Sequence, residues 1–437
     1  MRVAIIGGGI GGMSVALSLH AAGLEDVHIY ESASAVRELG VGINILPHAV
    51  RELTELDLLD ELSEVGVATA DFTYFSRLGQ PIWEEPLGIA AGYRWPQLSI
   101  HRGELLGVLH RAVVKRLGSR RIHTSHHLAR FGAHSEGGIW AEFVERDTDR
   151  VIARAQADLL VGCDGIHSIV RRALYPDEGS LRWNGVTMWR GVSDGKPFLS
   201  GRSMINIGSS RQRAVVYPIS NSRLRSARTA INWVATRKVS TSDMSPQDWT
   251  YVAQREEVLG AFEDFRFEFL DVVQLIREAE VIYQYPMVDR DPLPSWDFGR
   301  VTLLGDAAHP MHPVGGNGAS QAVLDARVLA RELALQPTIE AAVTAYDSER
   351  RPATAAVVQS NRRAGPHRCQ DLVEERAPNG FEELSDVITR QELEEIADEY
   401  KRIGGFDVER LNNRPSLSLS SHRPRASKTV RAGKTSG

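Results

Sequence analysis

Apolar residues along the chain fall into short blocks, and the length and period of each block point to an element. Arg2–Ile6 reads as a short buried strand, Ile10–Ala22 as a helix and Val27–Tyr30 as a second strand, which together make a βαβ unit. Between about Val186 and Tyr285 the pattern changes. Val186–Val192, Met204–Ile207, Ala214–Ile219 and Ala230–Ala235 are rich in β-branched and aromatic residues, which suit a pleated sheet. Val301–Leu304 is a further strand that leads through a Gly/Pro-rich loop into a helix from about Ala319 to Ala334. Gln391–Lys401 alternates charge with Leu, Ile and Tyr, the pattern of an amphipathic helix that packs on the rest. The expected fold is α/β (α+β overall): a discontinuous Rossmann-like domain, an inserted mainly antiparallel β-sheet and C-terminal helices.

Length and charge narrow the function classes. At 437 residues the chain exceeds what one hydrophobic core usually serves. Its 42% hydrophobic and 24% charged residues are ordinary for a globular protein. A net charge of -5 offers no overall attraction to nucleic acid or anionic lipid, so neither is expected as a partner. Cys163 and Cys369 are too few for a disulfide scaffold and read as thiols of a reducing cytoplasm. The uncharged stretch from Val3 to Leu24 could pass for a membrane span, but five of the six residues from Gly7 to Gly12 are glycine, which breaks a lipid-exposed helix. Residues 416–437 contain no acid and read as a flexible basic tail.

Chemistry enters with Gly7-x-Gly9-x-x-Gly12, which follows the first strand and opens the first helix, while Glu31 ends the next strand. Gly7 permits the tight turn, Gly9 lets a pyrophosphate approach the backbone, and Gly12 lets the helix pack on the sheet. The helix N-terminus offers unpaired N–H groups to the phosphates, and Glu31 can accept from ribose hydroxyls. This fingerprint leaves FAD and NAD both open. Two later strand ends add to it: Leu159-Leu160-Val161-Gly162-Cys163-Asp164-Gly165, followed by Ile166-His167-Ser168-Ile169-Val170-Arg171, and Val301-Thr302-Leu303-Leu304-Gly305-Asp306-Ala307-Ala308-His309-Pro310, followed by Pro313-Val314-Gly315-Gly316-Asn317-Gly318. His309 and His312 are interrupted by Pro310 and Pro313, which prevents the helical turn that pairs metal ligands, so no metal is expected.

In order and spacing these motifs resemble those of the flavoprotein aromatic hydroxylases, the family of p-hydroxybenzoate and salicylate hydroxylase. The segments Met188-Trp189-Arg190-Gly191, Gln284-Tyr285-Pro286-Met287 and Gly315-Gly316-Asn317-Gly318 look most like the 5-methylphenazine-1-carboxylate hydroxylase branch. The resemblance implies FAD as cofactor, with Asp306 on a ribityl hydroxyl as a buried carboxylate with fixed donors. It also implies Gly305, Pro313, Gly316, Asn317 and Gly318 around the flavin, with Asn317 and Gly318 facing the ring. Arg102 would lie over the pyrophosphate, Gly42 and Ile43 in the loop Gly40–Asn44 would pass beside the isoalloxazine, and Asp164, Gly165 and Arg171 would serve both FAD and the NAD(P)H path. Residues 1–72, 100–183 and 286–365 would form the FAD-binding domain, 73–99 and 184–285 the substrate-binding domain, and 366–415 a C-terminal helical segment.

The implied reaction is hydride transfer from NADH or NADPH to FAD, O2 addition to give a C4a-hydroperoxide, and oxygen transfer to an aromatic or heteroaromatic small molecule, with CO2 loss where the attacked carbon bears a carboxylate. Pro313 and Gly315 would shape the peroxide pocket. Tyr285, Met287 and Arg190 are expected at the substrate, Arg190 as a carboxylate partner. Trp189, Tyr217 and Trp233 are either pocket wall or core, and His309, His312 and Tyr285 are equal candidates for a base. A flavin reductase or oxidase on the same fold, or a non-catalytic FAD-fold binding protein, stays open as the alternative. The chain is expected to act as a monomer or homodimer.

Overall fold

The computed structural model describes all residues except 36–39, 136, 147, 221–227, 241–250 and 419–437. Val3–Ile6 is the central strand of a five-stranded parallel sheet in the order Val301–Leu303, Leu159–Gly162, Val3–Ile6, Val27–Tyr30, Ile122–His123. Helices cover this sheet, so the inner strands bury all or nearly all their residues and read as continuous apolar runs. Helix Ile10–Ala21 starts directly after the first glycines and packs on the helices Arg102–Leu117 and Gly318–Leu335. Gly12 lets this helix lie close on the first strand and its turn, because a Cβ there would lie 2.0 Å from the Gly7 carbonyl oxygen.

The second unit is a seven-stranded sheet in the order Ile282–Asp289, Arg182–Gly195, Thr229–Lys238, Gln212–Pro218, Ser203–Gly208, Asp71–Phe75, Pro81–Pro86. All of its pairings are antiparallel except Ser203–Gly208 with Asp71–Phe75. The two faces of the sheet have different fates. Trp189 and Trp233 belong to a core with Val258, Phe262, Val272 and Ile276 beneath the helices Arg255–Ala261 and Val272–Glu278. Their indole N–H groups donate to Gln284 Oε1 at 2.8 Å and Ser193 Oγ at 2.9 Å. These two tryptophans are therefore core, whereas Met188, Arg190 and Tyr217 point to the opposite face and line a cavity.

The C-terminal segment wraps back onto the parallel-sheet unit. Arg51 donates to the carbonyls of Leu411 and Arg414, and Ser416 and Ser418 donate to Glu55 at 2.7 and 2.8 Å. Ser416 and Ser418, expected to open a solvated tail, are thus docked; residues 419–437 of that tail lie outside the described residues.

His48, on the helix Pro47–Glu55, stacks on Phe406 at 5.2 Å between ring centroids, and neither ring nitrogen has a hydrogen-bond partner among the described residues. Burial, reinforced by the charges of Arg414 and Arg350, pushes its pKa down from 6.5 to about 3. The unfolded chain therefore binds a proton that the native state refuses between these two values. Stability should fall as pH drops through this window by about 1.4 kcal/mol per pH unit from this group. Urea titrations of wild type and His48→Leu at pH 6, 5 and 4 check this: the variant should show the shallower pH slope.

Candidate flavin and substrate site

A cavity of about 870 Å³ takes its walls from both sheets. At one end are the glycines of the first turn. Gly7 has φ +105, and a Cβ there would sit 2.4 Å from the Cys163 carbonyl oxygen, so only glycine closes this turn. Gly9 lines the cavity, and a Cβ on it would meet nothing within 4 Å. The protein itself therefore does not require glycine at position 9; a group approaching from the cavity does. Glu31 accepts from Gly8 N–H at 2.7 Å and Ala33 N–H at 2.8 Å, which holds the glycine loop against the second strand while its side chain borders the cavity.

The Asp164 turn is built differently from what the motif suggests. The Asp164 carboxylate accepts from Ile169 N–H at 2.7 Å, Val170 N–H at 3.2 Å and Ser168 Oγ at 2.5 Å, so it fixes the start of the helix Ile169–Leu174. Burial pushes its pKa up against these donors. Gly165, at φ +75, lines the cavity with nothing within 4 Å of a Cβ. Arg171, expected on a cofactor path, is 2% exposed and reaches no ligand surface. It pairs with Glu178 and donates to the carbonyls of Ala307 at 3.1 Å, Ala308 at 2.8 Å and Asp291 at 3.2 Å, clamping the Gly305–Ala308 turn.

That turn carries Asp306. Contrary to the expectation of a buried carboxylate with fixed donors, Asp306 is exposed onto the cavity and makes no hydrogen bond among the described residues. The fixed donors serve Asp325 instead. Asp325 is completely buried and accepts from His309 Nε2 at 2.5 Å, Arg350 Nε at 2.7 Å and Gly305 N–H at 3.2 Å. His309 is thereby committed to a structural network and is not free to act as a base. Arg102, also exposed onto the cavity, presents its guanidinium fork to the same space.

The loop after Pro313 bends through Gly315 and Gly316, both at positive φ (68 and 67), and Pro313, Gly315, Gly316 and Gly318 all line the cavity. Asn317 does not. It is 1% exposed, and its Nδ2 donates to Tyr400 Oη at 3.0 Å while its Oδ1 accepts from Gln321 at 3.2 Å, so the side chain turns away from the expected ring position. The Tyr400 hydroxyl also lies 3.0 Å from the Val314 carbonyl oxygen and 3.1 Å from Asn361 Oδ1, and it occupies the space where a Gly315 side chain would go. The helix Arg390–Gly404, expected only to pack, thus braces this loop through Tyr400.

Facing the loop is the sheet. Gly42 donates its N–H to Asn232 Oδ1 and accepts from Arg190 Nη2, both at 2.6 Å, and a Cβ on Gly42 would come within 2.6 Å of Asn232. Glycine is required here for the strand Gly42–Ile45 to meet the large sheet. Ile43, Met188, Met287 and Tyr217 complete this part of the wall, whereas Tyr285, opposite Met188 in register, is not among the lining residues. His312 lines the cavity with its Nε2 3.6 Å from Asp289 Oδ2; burial lowers its pKa, with Asp289 working against that. Among the described residues no group of three or more His, Cys, Asp or Glu is arranged to hold a metal ion, and no helix is long and apolar enough to cross a membrane.

A glycine cradle open to a pyrophosphate, carboxylates at two strand ends and an arginine fork in one elongated cavity fit FAD, and they define a flavin-binding oxidoreductase. The FAD binding domain family model matches residues 1–361, and the chain belongs to that family, among the flavoprotein aromatic hydroxylases. The chain is 44% identical over 362 residues to the phenazine 1,6-dicarboxylic acid hydroxylase PhzS of Lysobacter antibioticus, covering 82% of this chain and 89% of that one. It is 31% identical to the salicylate hydroxylase of Pseudomonas putida, over 84% and 85% of the two chains. The crystal structure of Klebsiella pneumoniae HpxO with FAD and uric acid shares the fold, with a TM-score of 0.70 over 94% of this chain and 96% of that one at 22% identity.

Proposed function

We propose that this chain is a single-component FAD monooxygenase that consumes NADH or NADPH and O2 to hydroxylate an aromatic or heteroaromatic carboxylic acid, phenazine- or salicylate-like, with loss of CO2 where the attacked carbon carries the carboxylate. The observation that carries this reading is one continuous cavity that runs from Gly9 past Pro313–Gly316 to the sheet face bearing Met188, Arg190 and Tyr217. Bound FAD supplies the redox chemistry, taking hydride from the nicotinamide and activating O2 for transfer of one oxygen atom.

The protein's part is to position, desolvate and handle protons. Gly9 and Arg102 hold the pyrophosphate, Glu31 the adenosine ribose, and Asp306 a ribityl hydroxyl. Arg190, tied to the Gly42 carbonyl, keeps a fixed guanidinium beside the ring-side loop and orients the substrate carboxylate. His312, held neutral by burial, takes up a substrate proton that Asp289 stabilises from 3.6 Å. The chain works as a monomer or homodimer. A cytoplasmic location is supported by its two unpaired cysteines.

Purified protein with NADH or NADPH and a panel of phenazine carboxylates, salicylates and hydroxybenzoates tests the reading. At least one acid should accelerate nicotinamide oxidation and give a product that has gained one oxygen or, where CO2 leaves, carries a hydroxyl in place of the carboxylate. Oxidation that yields only H2O2 with every acid would overturn it. Tyr400→Phe should keep its flavin, lose about 1–2 kcal/mol of stability, and raise the H2O2 released per nicotinamide consumed, because the Val314–Gly316 loop loses its brace. A merely structural tyrosine would lower stability and leave that ratio unchanged.

A further inference from the structure

Strand register arranges the cavity-facing residues of the large sheet in rows. Val192, Asn232 and Tyr217 form the row beside Gly42; Arg190, Val234 and Val215 form the next, then Met188, Thr236 and Arg213, and finally Val186 and Lys238. Arg211 stands opposite Lys238, whose N–H donates to the Arg211 carbonyl at 2.8 Å. From Val186 to Arg190, and from Arg211 to Tyr217, these side chains border the same cavity. Each row is roughly 7 Å from the next, so Lys238 and Arg211 lie roughly 14 Å of strand beyond Arg190, at the end away from the ring-side loop.

The cations along this ramp differ in how far they are spoken for. Arg190 is tied to Gly42, and Arg213 pairs with Asp371 at 2.8 Å and contacts His367 Nδ1 at 3.1 Å. Arg211 and Lys238 make no ion pair among the described residues. The other acids on the cavity wall, Glu31, Asp164 and Asp306, belong to the cofactor end. Among the described residues, then, the outer row is a positive pair with no acid against it, in a cavity whose inner row already holds one guanidinium for an anion.

We propose that Arg211 and Lys238 form a second anion subsite, which binds a carboxylate at the far end of an extended, fused-ring aromatic acid whose reacting end lies near Arg190. A single-ring acid cannot reach both rows; a planar acid of three fused rings with carboxylates on opposite outer rings can, with the long Arg and Lys stems closing the remaining gap. This inference rests on the proposed function for the chemistry at the inner row, but not for binding at the outer one.

The test compares phenazine-1,6-dicarboxylate with phenazine-1-carboxylate on the FAD-loaded protein and on the double variant Arg211→Met with Lys238→Met. Turnover is read as KM and kcat, and binding as the perturbation of the flavin absorbance. The expected result is a rise of about 10-fold in KM and Kd for the dicarboxylate, less than about 2-fold for the monocarboxylate and for NADH or NADPH, and an unchanged kcat. A single Lys238→Arg change should keep most of the preference. Equal losses for both acids, no loss for either, or a loss confined to NADH or NADPH would overturn the subsite, the last assigning the pair to the nicotinamide cofactor's phosphates. If the wild type binds the dicarboxylate more tightly than the variant yet oxygenates neither acid, the subsite stands and the reaction assigned to the inner row falls.

Discussion

Gly9→Val is expected to give a folded protein that purifies without colour. Gly9 has φ -77 and ψ -169, an extended conformation that valine adopts freely, and among the described residues nothing beyond its own stretch of chain lies within 4 Å of the new Cβ. Nothing in the folded chain opposes the substitution. The added methyl groups instead enter the cavity where the first helix begins and hold a pyrophosphate off the N–H groups that would bind it. FAD affinity should fall at least about 100-fold, while the melting temperature stays within about 2 °C of flavin-stripped wild type; the stripped protein is the fair reference because bound ligand stabilises by mass action. Gly12→Ala should do the reverse and damage the fold itself, since its Cβ would lie 2.0 Å from the Gly7 carbonyl oxygen and 3.3 Å from Ile5. Isothermal titration with FAD and thermal melts on both variants separate the two roles.

Asp325→Ala is expected to have the largest effect on stability. The variant leaves Arg350 and His309, both buried, without their shared carboxylate, and frees Gly305 N–H. Breaking one side of such a buried network costs on the order of 3–5 kcal/mol. Asp325→Asn keeps the shape and removes the charge, so it remains testable if the alanine variant fails to fold. Burial pushes the Asp325 pKa up, but His309 and Arg350 outweigh it and hold the carboxyl below the ordinary 3.8. A depressed carboxyl stabilises the fold above its unfolded pKa and loses that contribution as pH falls through the folded value. The gap between wild type and Asp325→Asn in urea should therefore be full at pH 7 and narrow below pH 4. An equal gap at both pH values would show that the charge of Asp325 is not what the network needs.

The parallel unit was legible from local chemistry because each of its parts has a local reason. Glycine at positions 7, 9 and 12 and the apolar strands on either side are dictated by backbone geometry within about thirty residues of chain. The large sheet was legible as strands. The side that each strand turns to the cavity was not, since alternation gives two faces and only the helices Arg255–Ala261 and Val272–Glu278 decide which face they cover. Arg190, Met287, Pro313 and Gly315 do border the cavity, and Asn317 and Tyr285 do not. Asp325 and Tyr400 carried no motif: one sits within a long helix and the other near the end of a C-terminal helix, and their importance comes from contacts with residues far away in the chain. By sequence the acid of the Gly-Asp turn is the one expected to be hydrogen-bonded, because a buried carboxylate needs donors, but the donors go to Asp325 and leave Asp306 facing the cavity.

The most direct measurement is turnover under 18O2 with the FAD-loaded protein, NADH or NADPH and the phenazine acid that most accelerates nicotinamide oxidation. One atom of 18O should appear in the aromatic product for each productive turnover, and none should come from H2 18O in the reciprocal labelling. A product whose new oxygen derives from water, or an unlabelled product formed with full nicotinamide consumption, would contradict the oxygen transfer on which everything here depends.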